Sequence, residues 1–112
     1  DLGSAPIDAA RILLRTSSSP DAEQWAPNFL GIDPALIDHL ADRGVKLLGV
    51  DTPSVDTADS KDLPAHARCL ARTMAIIEGL VLREVPAGTY EFIGFPLKLE
   101  GCDASPIRAV LR

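Results

Sequence analysis

Glu78 stands alone among apolar neighbours in the run Ala75–Leu82 (AIIEGLVL). A carboxylate carried into such surroundings loses its hydration and must find a partner or take up a proton. The partner could be a metal ion or an arginine, and a raised pKa would suit a catalytic acid or base. His66 lies twelve residues earlier. Neutral imidazole is a common ligand of divalent metals. Two donors do not make a catalytic zinc site, which usually takes three protein ligands and a water. On these residues alone, a structural ion pair for Glu78 and a capping or half-exposed role for His66 stay open.

Other residues invite chemistry less directly. Asp51, Thr52, Ser54 and Asp56 cluster in the polar stretch Asp51–Asp59 (DTPSVDTAD). Turn chemistry accounts for them, with Pro53 fixing the bend. The alternative is a shell that orients metal ligands or touches substrate. Cys69, three residues after His66, raises a Cys–His nucleophile, but nothing near it supplies an oxyanion hole. Cys102 follows Gly101 and reads as a packed small residue. His39 falls on the polar side of its helix and reads as a surface histidine.

These side chains need elements to hold them. Ala9–Arg15 (AARILLR) reads as a short strand and Thr16–Pro20 as a loop. Pro34–Arg43 is the clearest helix, with Asp33 as N-cap, Pro34 in the first turn and Gly44 just past the end. Its apolar face is Leu36, Ile37, Leu40 and Ala41. Val45–Val50 follows as a buried strand, so the polar loop after it lies at a strand's carboxyl end, where α/β folds open a crevice. A second helix is expected over about Leu63–Thr73, capped by Asp62, with Leu63, Ala67, Leu70 and Met74 as its apolar stripe and His66 at the stripe's edge. Ala75–Leu82 reads as one buried strand, with Glu78 on the face of Ile76 and Leu80. Val85–Gly88 is a turn. Thr89–Glu100 alternates in two halves around Pro96, which implies a bulge or an edge. Ser105–Arg112 sets Ile107, Ala109 and Leu111 against Arg108 and Arg112. The total is five strands and two helices, the last strands antiparallel: an α/β fold with a mixed or barrel-like sheet.

The chain has 112 residues, 46% of them hydrophobic and 24% charged, an ordinary balance for one globular domain. A net charge of −5 argues against nucleic acid, which needs a basic footprint. No apolar run approaches the roughly 20 residues of a membrane helix. Two cysteines are too few for a disulfide framework, and no leader is visible, so a cytoplasmic protein is expected. The chain starts at Asp1 and its one methionine is Met74, which suggests a processed chain or a fragment.

Three stretches, GVKLLGVDTPSVDTADSKDLPAH, AIIEGLVL and VPAGTYEFIGFPLKLEGCDASPIRAVLR, resemble the C-terminal half of bacterial kynurenine formamidases of the metal-dependent cyclase-like hydrolase family. The resemblance runs from about Ala9 to the last residue. It implies a swivelling β/β/α domain with a central barrel, of which residues 1–112 are the C-terminal part, and a homodimer. It implies that His66 and Glu78 are ligands of a divalent metal, zinc first, with a binuclear site or manganese as alternatives. The family's Asp-Thr-Pro-Ser loop matches Asp51 to Ser54, and Asp51 and Ser54 are candidates for supporting the ligands. Trp25 and Phe29 could wall a substrate ring or pack in the core. The family's principal motif, of the type HxGTHxDxPxH, carries further ligands and the general acid/base histidine, and this chain does not contain it. The remaining ligands are therefore expected from an N-terminal half as partner, and the chain alone is expected to be inactive. The implied reaction is hydrolysis of the small molecule N-formyl-L-kynurenine to L-kynurenine and formate in tryptophan catabolism. The rivals are a relative acting on another amide, ester or cyclic substrate, and an inert fragment that serves only in assembly.

Overall fold

The structure, a computed structural model, describes residues 7–19 and 23–112. Its first half is a β-α-β-α-β run: β1 (Arg11–Leu14), α1 (Pro34–Asp42), β2 (Leu47–Val50), α2 (Pro64–Ala71) and β3 (Ala75–Ile77). The three strands form one parallel sheet in the order β1-β2-β3, with Ile12 beside Leu48 and Leu48 beside Ile76. Parallel neighbours need a crossover, and each helix supplies one. All three strand ends that follow residues 14, 50 and 77 therefore open on the same edge of the sheet.

The core lies between this sheet and the two helices. Leu48 and Val50 of β2 pack with Ile37 and Leu40 of α1 and with Ala65 and Cys69 of α2. Ile12, Leu14 and Ile76 flank them. Helix α1 forms as its sequence predicts. Asp33 accepts a hydrogen bond from Ala35 N–H at 2.8 Å, and Gly44 leaves the helix at φ +85°. The helices are tied to each other by ion pairs of Arg68 with Asp38 and of Arg72 with Asp38 and Asp42.

Helix α2 departs from expectation. Its buried residues are Ala65 and Cys69, followed by Met74 beyond its end. Leu63 is half exposed and Leu70 is 82% exposed, so the expected leucine stripe faces away from the core. The small side chains at 65 and 69 allow close approach to α1 and β2, and the leucines are left outside. Leu63 takes the N-cap position in the left-handed region, φ 45°, and makes no side-chain capping bond. Asp62 does not cap this helix. A different aspartate does, as described below.

On the opposite face of the sheet, β2 has glycine at position 49. A Cβ there would lie 2.4 Å from Leu13 Cδ2 and 2.8 Å from Leu80 Cδ1. The two leucines close over the central strand because Gly49 carries no side chain. The final strands, β4 (Phe92–Pro96) and β5 (Ile107–Leu111), form a separate antiparallel pair, with Gly94 opposite Ala109. Pro96 is the last residue of β4, in a two-stranded sheet where every strand is an edge, as its missing N–H requires. One face of this pair turns towards Leu47, Ala75 and Ile77 across a cavity of about 610 Å³. The other presents Phe95 and Val110 to solvent. Among the described residues no helix is long and apolar enough to cross a membrane.

Candidate metal centre at the carboxyl end of the parallel sheet

His66 and Glu78 converge. Glu78 Oε1 lies 3.4 Å from His66 Nε2. The site forms where the chain leaves β2 and β3. β3 ends at Ile77, one residue before Glu78, and Gly79 at φ +68° turns the backbone out of the sheet. Glu78 is therefore not buried inside a strand; its side chain is 31% exposed, beside a His66 ring that is 37% exposed. The expected strand to Leu82 is cut short because a left-handed glycine cannot continue an extended ladder. The backbone after the turn is still held, by Gly79 N–H to Thr52 O at 2.8 Å and Leu80 N–H to Val50 O at 3.0 Å.

Asp56 organises the pair. Its carboxylate is 4% exposed and accepts from Ala65 N–H at 2.8 Å and His66 N–H at 3.0 Å, so it caps the start of α2 from the preceding loop. Its Oδ2 also lies 2.7 Å from His66 Nδ1. Burial alone would raise the Asp56 pKa, but the amide donors of His66 and Ala65 and the imidazole outweigh it, and the net shift is downward. An ionised carboxylate only accepts, so Nδ1 carries the proton in this bond. In neutral His66 the Nε2 lone pair is then turned towards Glu78. This carboxylate–imidazole arrangement fixes ring and tautomer for a metal at the far nitrogen.

Glu78 is held as well. Its Oε1 accepts from Val55 N–H at 2.8 Å. An acceptor carboxylate oxygen facing an acceptor imidazole nitrogen needs a cation or a proton between them. Two ligands of one tetrahedral zinc, each about 2.0–2.1 Å from it, stand roughly 3.3–3.4 Å apart, which matches the observed spacing. The donor set fits two positions of such a site. Among the described residues no group of three or more His, Cys, Asp and Glu side chains could hold a metal, so His66 and Glu78 would be a partial set.

The other candidates fall into three places. Ser54 supports the site: its Oγ accepts from Asp56 N–H at 3.1 Å, and its carbonyl accepts from Thr52 Oγ1 at 2.7 Å. Asp51 points elsewhere, accepting from Thr16 N–H at 2.9 Å, Thr16 Oγ1 at 2.7 Å and Ser17 N–H at 3.0 Å. It ties the ends of β1 and β2 together and does not touch His66 or Glu78. Phe29 is buried and packs edge-on against Trp25 at 5.9 Å, while Trp25 is 69% exposed. Their segment runs beside the site loop, with Ile32 N–H on Val55 O at 2.7 Å. His39 is exposed on the last turn of α1, its Nδ1 2.9 Å from Arg43 Nη1.

Asp56 is the functional residue that sequence reasoning under-weighted. The sequence offers it, with Asp51, Thr52 and Ser54, as part of a shell that orients metal ligands, without singling it out. Its signal was Leu63-Pro64, since the residue before proline avoids helical geometry and leaves the first turn in need of an outside cap.

Cys69 takes no part. It is buried beneath the helix, and burial, followed by the charges of Asp56 and Glu78, pushes its thiol up to about 11. The thiolate is the nucleophile, so Cys69 is inert at neutral pH. Iodoacetamide at pH 8 should add one adduct, on the exposed Cys102, and reach Cys69 only after unfolding. Equal labelling of both cysteines in the folded chain, read by peptide mass, would contradict this placement.

The chain is similar to known proteins in two ways. Residues 4–57 match the family model Cyclase, described as "Putative cyclase". That segment contains Asp51, Ser54 and Asp56 and stops before His66. Two solved structures superpose on 88% of the chain at 31% sequence identity, each with a TM-score of 0.78. One is described as a predicted metal-dependent hydrolase from Bacillus stearothermophilus, the other as a potential metal-dependent hydrolase with cyclase activity. The match covers 47% and 48% of those chains, so this chain spans about half the length of the solved proteins it resembles. The mixed α/β architecture, with its parallel and antiparallel sheets and two helices, corresponds to that part of their fold.

Proposed function

We propose that this chain carries part of the metal site of a hydrolase that cleaves the N-formyl amide of an aryl amine, with N-formyl-L-kynurenine as substrate. The observation that carries the reading is the convergence of His66 Nε2 and Glu78 Oε1 at 3.4 Å, with Asp56 committed to the other imidazole nitrogen. A divalent metal held there, zinc first, supplies Lewis acidity that activates water near neutral pH and polarises a carbonyl. This chain's residues set the stage for it. Asp56 keeps the proton on Nδ1 and the lone pair on Nε2. Val55 N–H holds the Glu78 carboxylate at the rim, where solvent and substrate can reach it. Ser54 keeps Asp56 in place. The remaining ligands and the acid that protonates the leaving aryl amine come from residues outside this chain, in an amino-terminal partner segment. The assembled enzyme is a homodimer.

Metal binding tests the site directly. Isothermal titration with Zn²⁺ of the chain mixed with an amino-terminal segment carrying the HxGTHxDxPxH motif should show the ion bound, with His66→Ala reducing affinity at least about tenfold. Equal binding by wild type and variant would remove His66 from the site. Hydrolysis is measured on the chain mixed with an amino-terminal segment carrying the HxGTHxDxPxH motif, by release of L-kynurenine and formate. The description of one similar structure as having cyclase activity supports a second reading, hydrolysis of a cyclic or ester substrate. A panel of N-formyl aryl amines, lactones and cyclic amides separates the two.

A further inference from the structure

A second cleft opens on the same edge of the sheet. It encloses about 230 Å³ and is lined by Arg15 and Ser17 from the end of β1, Asp51 from the end of β2, and the segment Leu80–Arg83 that follows Glu78. Its wall is apolar, formed by Leu80, Val81 and Leu82, and two arginines stand at it. In a chain of net charge −5, the meeting of two guanidinium groups at one cleft calls for a reason.

Among the described residues those charges are not neutralised. Arg15 Nη1 donates to the carbonyls of Arg83 at 3.3 Å and Val85 at 3.2 Å, so its position is fixed by uncharged acceptors. Neither arginine forms an ion pair with a carboxylate among the described residues. The one acid at the cleft, Asp51, is occupied by Thr16 and Ser17. Ser17 holds φ +57°, a left-handed conformation that costs a non-glycine residue and tends to persist at ligand sites. Planar guanidinium forks match carboxylates in two parallel hydrogen bonds.

We propose that this cleft takes the carboxylate of the substrate, with Arg83 as its principal partner and Arg15 as the second, while Leu80 and Val81 contact the apolar part of the molecule. The inference rests on the amide-hydrolase reading and adds to it where the acid end of the substrate lies. Leu80, which lines the cleft, follows Glu78 by two residues and is held by its N–H on Val50 O at 3.0 Å, so the cleft adjoins the end of β3 from which Glu78 departs.

The test is a ¹H–¹⁵N NMR titration of the purified chain, including arginine Nε–H resonances, with L-kynurenine, 2-aminoacetophenone and inorganic phosphate. The second compound keeps the aryl amine and ketone but lacks the carboxylate. L-Kynurenine should shift the resonances of Arg15, Ser17 and Arg83. Its dissociation constant should rise about tenfold in Arg83→Gln, the loss of one charge-assisted contact, and recover in part in Arg83→Lys. 2-Aminoacetophenone should leave those resonances unmoved. An unchanged constant in Arg83→Gln, no shift with L-kynurenine, or phosphate binding equal to L-kynurenine would each overturn the assignment. Zinc titration of the same variants mixed with the amino-terminal segment keeps the two readings apart. Zinc bound with no Arg83 dependence defeats the cleft alone, and L-kynurenine bound at Arg83 without zinc at His66 defeats the metal reading alone.

Discussion

Replacing Asp56 with alanine should destabilise the chain by about 2–4 kcal/mol and weaken zinc binding by about 10–100-fold. The stability loss follows from what the carboxylate satisfies. Ala65 N–H and His66 N–H sit at the start of α2 with no other acceptor in the helix, and Ala65 is fully buried. Alanine leaves both without a partner and removes a negative charge from the positive end of the helix dipole. Urea unfolding followed by circular dichroism measures the first effect. The second effect is separate. Without Asp56 the His66 ring is free to rotate and to place its proton on either nitrogen, and zinc calorimetry on the folded variant reads that cost. A variant as stable as wild type with unchanged zinc affinity would mean that α2 and His66 are held by something else.

The same carboxylate predicts an acid limb in the stability curve. Its folded pKa lies below the unfolded value, which is about 3.9. Its contribution is therefore complete above that value and is lost as pH falls through the folded pKa. Asp56→Asn should lower stability at pH 7 and flatten the decline below about pH 4. An acid limb as steep as wild type would assign it to other carboxylates.

Why Asp56 was hard to see in the sequence is instructive, because α1 was easy. Everything that shapes α1 is local. Asp33 caps it, Pro34 opens it and Gly44 ends it, all within one residue of the helix or its cap. The cap of α2 lies eight residues before the helix and reaches it only because the loop after β2 folds back across the sheet edge. Local rules favoured Asp62, which is closer in sequence. The apolar stripe failed for a related reason: helical periodicity was centred on leucines, but the space between α1 and β2 admits Ala65 and Cys69. The run from Ala75 to Leu82 looked continuous by hydropathy. The Gly79 turn that ends it was written in the sequence as Glu-Gly, a polar residue and a flexible one side by side in an otherwise apolar segment. The pairing of His66 with Glu78 came from family resemblance. No helical or strand period relates the first turn of a helix to the end of the next strand; the α2-to-β3 crossover does.

Glu78→Gln should separate the charge of this residue from its shape. Glutamine keeps an oxygen for Val55 N–H, whose bond to Oε1 is 2.8 Å. It fills the same volume at a site already open to solvent. Unfolding free energy should therefore change by less than about 1 kcal/mol. If Glu78 is a ligand, zinc affinity should fall far more, at least about 100-fold, because a neutral amide is a poor replacement for a carboxylate at such a position. In the assembled enzyme, metal content and formamide hydrolysis should fall together. Glu78→Ala adds the structural loss that Gln avoids, since Val55 N–H is then left without its acceptor. Comparing the two variants assigns the effects. If Gln binds zinc normally and Ala does not, Glu78 acts through the loop at Val55. If both lose zinc while only Ala loses stability, the carboxylate is a ligand, and the 3.4 Å gap between it and His66 is where the ion sits.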